Sequence, residues 1–508
     1  MSAHQDSISA ILRDHHLEGC EAALGAYIVR QRWGGAKGRT IRATTIVDAA
    51  VVNERAPLLV HTLTAVTFTD GRTTRYALPL GVRPVGDAIT ERVPEFMIPW
   101  PEAPDPIALY DAVGDSTYIE WLLDAIRDQR VLQTSSGTLR LSCPDSAALD
   151  TGSLSSVRLL RVEQSNTSVE VGDAIFLKHM RRVEAGPSQE LEMSDALQAA
   201  GFTHVAPMLG RAIWESGGEP PSPLVLVQRF LHNSTEGWAL ALTSLRDLYA
   251  NAESVGQADP AERRAMVDDQ DAAFLAESMR LGKVIAEMHL ALAAGAPDTD
   301  MAPAAMTEES LNTWANTMTR DLDQLLARDE PSLDPLRDVR KAIVARFDQL
   351  RGLSPGGLLT RIHGDLHLGQ LLRVDTGWVI LDFEGEPDRT PAERRELGTP
   401  LRDVAAMLRS FDYAAAAAIV ERTPPDSAEA DMLRGYGEAW ADANRDAFWG
   451  AYLETIGSRP VLPAPGPSLV LRRAFEVQKA VYEIAYEPGH RPSWVPIPLR
   501  FLLRGAGQ

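Results

Sequence analysis

Two short blocks constrain this chain more than any other feature. They are His363-Gly364-Asp365-Leu366-His367-Leu368-Gly369-Gln370 and Asp382-Phe383-Glu384-Gly385-Glu386-Pro387. Between them, Leu371 to Val374 reads as a short strand, Asp375-Thr376-Gly377 supplies turn chemistry, and Trp378 to Leu381 reads as the return strand. A hairpin here brings Gln370 and Asp382, at its open ends, side by side.

That juxtaposition suits phosphoryl transfer. Asp365 can accept a proton from an attacking hydroxyl, while Gln370 can offer an amide oxygen and Asp382 a carboxylate to one Mg²⁺. Such a reaction asks a protein mainly for a positioned nucleophile, a metal on the phosphates and a cation to hold them. Mg²⁺ takes hard oxygen ligands and keeps several waters, so two protein ligands suffice.

A chain of 508 residues is too long for one compact core. The net charge of −20 repels nucleic acid and anionic membranes over most of the surface, so neither is expected as a partner. Cys20 and Cys143 make no disulfide framework or metal site. The N-terminal residues lack a basic segment followed by an apolar one, and no apolar run reaches membrane-spanning length, so a cytoplasmic protein is expected.

Residues 1–97 read as a mixed α/β domain, with a short helix ending near Arg32-Trp33 and a hairpin turning at Asp70-Gly71. The proline-rich stretch from Ile98 to Pro106 marks a boundary, and helical spacing returns from Ala108 to Val131. Within 98–232, residues from 155 on read as a β-rich lobe. It holds a strand at Arg158–Val162, a hairpin turning at Gly172-Asp173, a helix from Gln189 to Ala200 and a strand from Leu224 to Phe230. Residues 233–508 read as mainly helical, with Leu281, Val284, Ile285, Met288 and His289 on one helical face. Ser458 to Ser468, with four prolines, reads as a loop.

Lys178 ends the apolar strand Ala174-Ile175-Phe176-Leu177 and can reach nucleotide phosphates, provided a carboxylate holds it. Glu190 and Glu192 on the next helix are the candidates, and Glu192 fits better if Leu191 faces the core. The turn from Glu163 to Ser168 could close backbone amides and the hydroxyls of Ser165, Thr167 and Ser168 over phosphates, although the chain has no GxxxxGK[ST] loop. His363 is expected to hold its loop by hydrogen bonding, and His367 to point toward substrate. Near the C-terminus Lys479, Tyr482, Glu483 and Tyr486 recur three or four apart on one helix face, and Trp494 follows. Flat aromatic faces with charged tips suit sugars.

These blocks closely resemble the actinobacterial maltokinases, as do Arg32-Trp33, Gly35 to Arg39, the stretch from Leu401 to Tyr413, and Lys479 to Leu499. The likeness runs nearly end to end. It implies an α+β, bilobal, protein-kinase-like fold of the aminoglycoside phosphotransferase type with an added N-terminal cap domain. It implies ATP and Mg²⁺ as cofactors and transfer of phosphate to maltose, giving maltose 1-phosphate for α-glucan synthesis from trehalose. By position Asp365 matches the catalytic base, Gln370 and Asp382 the metal ligands, and Lys178 the phosphate lysine. Ser165, Asn166, Thr167, Ser168 and Glu192 fall on the nucleotide side, and Gln228 and Phe230 on the hinge that contacts adenine. His367, Lys479, Tyr482, Glu483, Tyr486 and Trp494 match the sugar side. Many such proteins are fused to trehalose synthase; here a complex with it would have to form between separate chains.

Two departures, Glu236 before Gly237-Trp238 where Asp is usual and Gly34 after Trp33 where an aromatic is, are expected to lie away from the chemistry. The alternatives are a kinase for another sugar such as glucosamine, or for an aminoglycoside. From a different class comes a kinase-like binding protein without catalysis, against which the intact Lys178, Asp365, Gln370 and Asp382 stand.

Overall fold

The computed structural model describes residues 12, 17–35, 38–86, 94–101, 103, 107–146, 149, 156–160, 165–184, 186–216, 218–295, 299–386, 388–424 and 427–506. The chain forms two compact units. The first comprises Met1–Ser188 and Ala206–His232, the second Gln189–Val205 and Asn233–Gln508. The chain therefore passes between them three times.

The first unit is built on two antiparallel sheets. Ile41–Asn53, Leu58–Phe68 and Thr73–Pro84 form a meander, and the expected turn at Asp70-Gly71 is present, with Gly71 at φ 84°. The free edge of Thr73–Pro84 pairs with Ile107–Asp111 along one half and with Arg182–Val183 along the other. Ile107–Asp111 thus lies beyond the boundary expected at residue 97. It also corrects the helical reading of Ala108 to Val131. Pairing with Thr73–Pro84 draws this apolar run into the sheet, and the helix is Ser116–Arg127, started by the Asp115 carboxylate accepting from Thr117 N. Helix Glu21–Arg30 buries Leu24, Tyr27 and Ile28 in a core shared with the first sheet.

The second sheet has seven strands in the order Val131–Gln133, Gly137–Ser142, Met208–Ser216, Ser222–Arg229, Ile175–His179, Thr167–Val171, Val157–Leu160. Gly172 and Asp173, both at positive φ (56° and 52°), are the central residues of a turn closed by Ala174 N donating to Val171 O at 3.1 Å, and the three residues Gly172 to Ala174 join Val171 to its partner Ile175. The buried Arg181 pairs with Asp111 at 2.8 Å, donates to Thr167 Oγ1 at 2.7 Å and lies 4.9 Å from the Trp33 ring centre. Tyr27 donates to the same Asp111 at 3.0 Å. One buried cation thus joins the helix and both sheets of this unit.

The second unit is helical apart from two small sheets. Its main core gathers Met193 and Leu197 of helix Gln189–Ala199 with Leu281 and Ile285 of helix Ala272–Ala293, Leu366, Ile380 and Phe411. Strands Leu371–Val374 and Gly377–Ile380 form the expected hairpin in the register Leu371↔Ile380. Long helices Leu401–Val420, Ala428–Ile456 and Pro465–His490 follow it in sequence, and the proline-rich loop ends at Pro465, where the last of these helices begins. Among the described residues, no helix is long and apolar enough to cross a membrane.

Candidate active site

The loop carrying Asp365 is fixed from below by one buried carboxylate. Asp403, in the first turn of helix Leu401–Val420, accepts from His363 N at 2.7 Å and from Gly364 N at 2.9 Å. It also contacts His289 Nε2 at 3.1 Å, whose Nδ1 meets Tyr452 Oη at 2.9 Å. Burial pushes the Asp403 carboxyl up, but His289 and the loop amides outweigh it and hold it below its ordinary range. His363 Nε2 lies 2.8 Å from Leu381 O, so this histidine ties the loop to the strand end as expected. Gly364 has φ 85°, a conformation that side chains oppose, and a Cβ there would stand 3.5 Å from Gly385 Cα.

At the open end of the hairpin, Leu381 N donates to Gln370 O at 2.9 Å, and the Gln370 amide nitrogen lies 3.1 Å from Asp382 Oδ2. Turned over, the same amide would present its oxygen. Asp382 has φ 58°, a strained conformation for a residue bearing a Cβ. Carboxylate oxygens of Asp382, Glu384 and the buried Glu190 lie within 4.8 Å of one another. A donor set of hard oxygens fits Mg²⁺. Two of these carboxylates were not assigned to a metal from sequence. The alternation Asp382, Glu384, Glu386 was the available signal for Glu384, and Glu190 was weighed only as a partner for Lys178.

Glu192, the favoured partner for that lysine, is corrected. Its two oxygens receive Arg395 at 2.8 Å each, and Arg361 approaches at 3.3 Å, so this carboxylate is already neutralised. In the first unit, Lys178 is buried in strand Ile175–His179 between Ser168 and Leu226. The hydroxyls expected over phosphates are also corrected in part. Thr167 and Ser168 are buried at the start of their strand, and the Thr167 hydroxyl is held by Arg181, drawn inward by the buried cation. Ser165 is exposed, and its Oγ accepts from the amide of Asn166 at 3.3 Å. Glu163 and Gln164 lie outside the described residues. Gln228 sits within a strand paired on both sides, and Phe230 N donates to Ala174 O at 2.8 Å, so that amide is not free for a ligand.

Beside Asp365 opens a cleft of about 390 Å³ lined by His367, Lys479, Tyr482, Glu483, Tyr486 and Trp494, bringing together all six expected sugar-side residues. His367 Nδ1 accepts from Gly369 N at 3.0 Å, and burial lowers the ring's pKa. The ring is therefore neutral, with its proton on Nε2. Lys479 Nζ stands 3.3 Å from Asp365 and 3.2 Å from Glu386, and lies 4.7 Å from the Tyr482 ring centre. Burial lowers the pKa of this ammonium, but Asp365 and Glu386 outweigh it and raise it. Tyr482 donates to Asp388 at 3.1 Å, and its ring stacks on Tyr486 at 5.8 Å. Glu483 is held by the buried Arg409 at 2.9 Å, so it braces the helix as well as facing the cleft. Trp494 stacks on Trp238 at 5.9 Å and carries the Arg491 guanidinium at 4.2 Å.

Glu236 and Trp238 line the same cleft as Asp365, which overturns the expectation that this departure lies away from the chemistry. Asp403 and Glu386 were also missed. A charge embedded in the apolar start of a helix, Leu401-Arg402-Asp403-Val404, was the legible sign of the first.

Residues 27–115 match the profile of the maltokinase N-terminal cap domain, and residues 156–447 that of the phosphotransferase enzyme family. The glucosamine kinase of Mycolicibacterium smegmatis is 31% identical over 351 residues, 67% of this chain and 77% of that protein. The glucosamine kinase of Streptacidiphilus jiangxiensis is 29% identical over 348 residues, 66% and 70% of the two chains. Among solved structures, a glucosamine kinase in its crystal form B superposes with a TM-score of 0.64 at 23% identity, covering 91% of this chain and 94% of that one. Another, in complex with glucosamine, ADP and inorganic phosphate, gives 0.62 at 22% identity over 90% and 92%. The fold is thus the phosphotransferase kinase fold with a cap domain, as expected. The chain belongs to the phosphotransferase enzyme family and carries the maltokinase type of N-terminal cap.

Proposed function

We propose that this protein is an ATP-dependent maltokinase that phosphorylates the anomeric hydroxyl of maltose. The observation that carries the reading is the extended cleft beside Asp365, whose walls run from Lys479 and Tyr482 past Tyr486 to the stacked pair Trp238 and Trp494. A monosaccharide at Asp365 would leave the far aromatic wall unused, whereas a second ring would cover it. Binding energy from that remote ring can orient the reacting one.

In this reaction Asp365 takes the proton of the anomeric hydroxyl as its oxygen bonds to the γ-phosphorus and the bond to ADP breaks. Lys479, 3.3 Å from Asp365, holds that carboxylate in place. Asp382, Glu384 and Gln370 would hold Mg²⁺, which supplies charge neutralisation on the phosphates. Lys178 is assigned to the nucleotide phosphates. The maltose 1-phosphate formed would serve α-glucan synthesis, in the cytoplasm, in a complex with trehalose synthase.

Glucosamine is the second reading. Two relatives named for it support it, as does the carboxylate of Glu236 in the cleft, which suits an ammonium. A phosphate-acceptor screen across mono- and disaccharides decides between them. Maltose should give the highest kcat/KM; glucosamine or glucose turned over better by the unmodified enzyme rejects the maltokinase assignment.

A further inference from the structure

On the other side of Lys479 from the aromatic cleft lies a second cavity of about 210 Å³, room for about seven waters at bulk density. Its charged lining consists of Arg328, Arg389, Arg402 and Lys479 against only Asp321 and Glu386. Four cations to two carboxylates is a local reversal of sign in a chain of net charge −20. Both carboxylates are already engaged. Glu386 receives Lys479 at 3.2 Å and Arg389 Nε at 2.7 Å, and Asp321 receives Arg320 at 3.1 Å.

Arg402 is the residue left over. Its guanidinium makes no hydrogen bond or ion pair among the described residues, although it is partly buried. Burial, and then the neighbouring Arg389 cation, lower its pKa below the usual arginine range. It is also the second residue of helix Leu401–Val420, the end at which a cation is electrostatically disfavoured. The carboxylates of Glu386, Asp403 and Glu396 attract it without outweighing burial and Arg389, and an arginine does not lose its proton to relieve such a position, so the cavity favours an added anion.

We propose that this cavity binds a tetrahedral oxyanion of the phosphate class, held by the forked guanidinium groups of Arg402 and Arg389 with Arg328 at the rim. The chemistry suits free phosphate and a sugar phosphomonoester alike. Because Lys479 and Tyr482 line both this cavity and the Asp365 cleft, an anion here competes with Glu386 for Lys479 next to the catalytic carboxylate.

The test is calorimetric titration of inorganic phosphate into the full chain without nucleotide, metal or acceptor, so that it stands independently of the identity of the sugar. Saturable one-to-one binding is expected. Arg402→Gln should weaken it at least tenfold, as should Arg328→Gln, an exposed position whose replacement leaves the thermal midpoint unchanged. Asp382→Ala should bind phosphate as the unmodified chain does. Glucose 1-phosphate binding more tightly than phosphate, with the same arginine dependence, supports the site and assigns it to a phosphomonoester; phosphate binding more tightly supports it and assigns it to the free ion. Non-saturating heats, unchanged affinity in both arginine variants, or loss of binding in Asp382→Ala overturns the proposal.

Discussion

Replacing Lys479 by methionine keeps most of the side chain's volume and removes the ammonium that stands between Asp365 and Glu386. The consequence can be worked from Glu386. Burial pushes this carboxyl up, yet Lys479 first and Arg389 second hold it down to about 2, against an ordinary value of 4.5. That depression corresponds to roughly 3–4 kcal/mol of folding free energy. Its sign is that of a lowered carboxylate: the contribution is fully present above the ordinary carboxyl value and is lost as pH falls through the folded one. Without Lys479 the burial penalty is left largely unopposed, and Glu386 becomes a buried charge with a single partner. Lys479→Met should therefore lose roughly 3 kcal/mol near pH 7, in the range expected for breaking a buried pair. The loss should shrink as pH falls from about 4.5 toward 2, where Glu386 is protonated with or without its partner. Urea unfolding of both proteins at neutral pH and near pH 3 reads this directly, with Lys479→Arg as a control that restores the charge. Equal stability at neutral pH, or a deficit that does not change with pH, would refute the reasoning.

Three further outcomes follow from the same geometry. Asp365→Asn should lower turnover by on the order of 10²-fold or more while the Kd for nucleotide stays nearly unchanged; near-normal turnover would remove Asp365 as the base. Asp382→Ala should raise the Mg²⁺ requirement more than Gln370→Ala, because a carboxylate neutralises charge and an amide only coordinates; activity that survives excess chelator would contradict the metal assignment. Tyr486→Ala should raise KM for the sugar and leave KM for ATP unchanged, whereas an equal loss for both would mark the tyrosine as structural.

The parts that were legible in the sequence are those dictated by local chemistry. The Asp375-Thr376-Gly377 turn fixed the hairpin, and with it the approach of Gln370 to Asp382. Spacing of three and four placed Lys479, Tyr482, Glu483 and Tyr486 on one cleft wall. The errors arose where tertiary partners decided. Glu190 and Glu192 lie two apart, and only the positions of Arg361 and Arg395, over a hundred residues later, show which carboxylate is already neutralised. Ile107–Asp111 carries helical spacing but is captured by a sheet edge formed earlier in the chain. Thr167 sits at a strand start that looked like a polar turn, and the arginine that turns its hydroxyl inward is fourteen residues away.

Helix Gln189–Ala199 belongs to the second unit although the chain on both sides of it belongs to the first. That arrangement bears on how the protein is made. Met193 and Leu197 are fully buried in the finished core, where they share a cluster with Leu281 and Ile380. About 180 residues separate Leu197 from Ile380. At a synthesis rate of roughly 5–20 residues per second, the helix leaves the ribosome about 10–40 s before its last core partners do. For the first part of that interval, until helix Ala272–Ala293 emerges, its apolar face has no core partner, while the strands on either side of it can already pair. The nascent chain must therefore carry an unburied greasy helix looped out of a nearly complete sheet, which makes this segment the natural point for a chaperone to engage and for aggregation to begin.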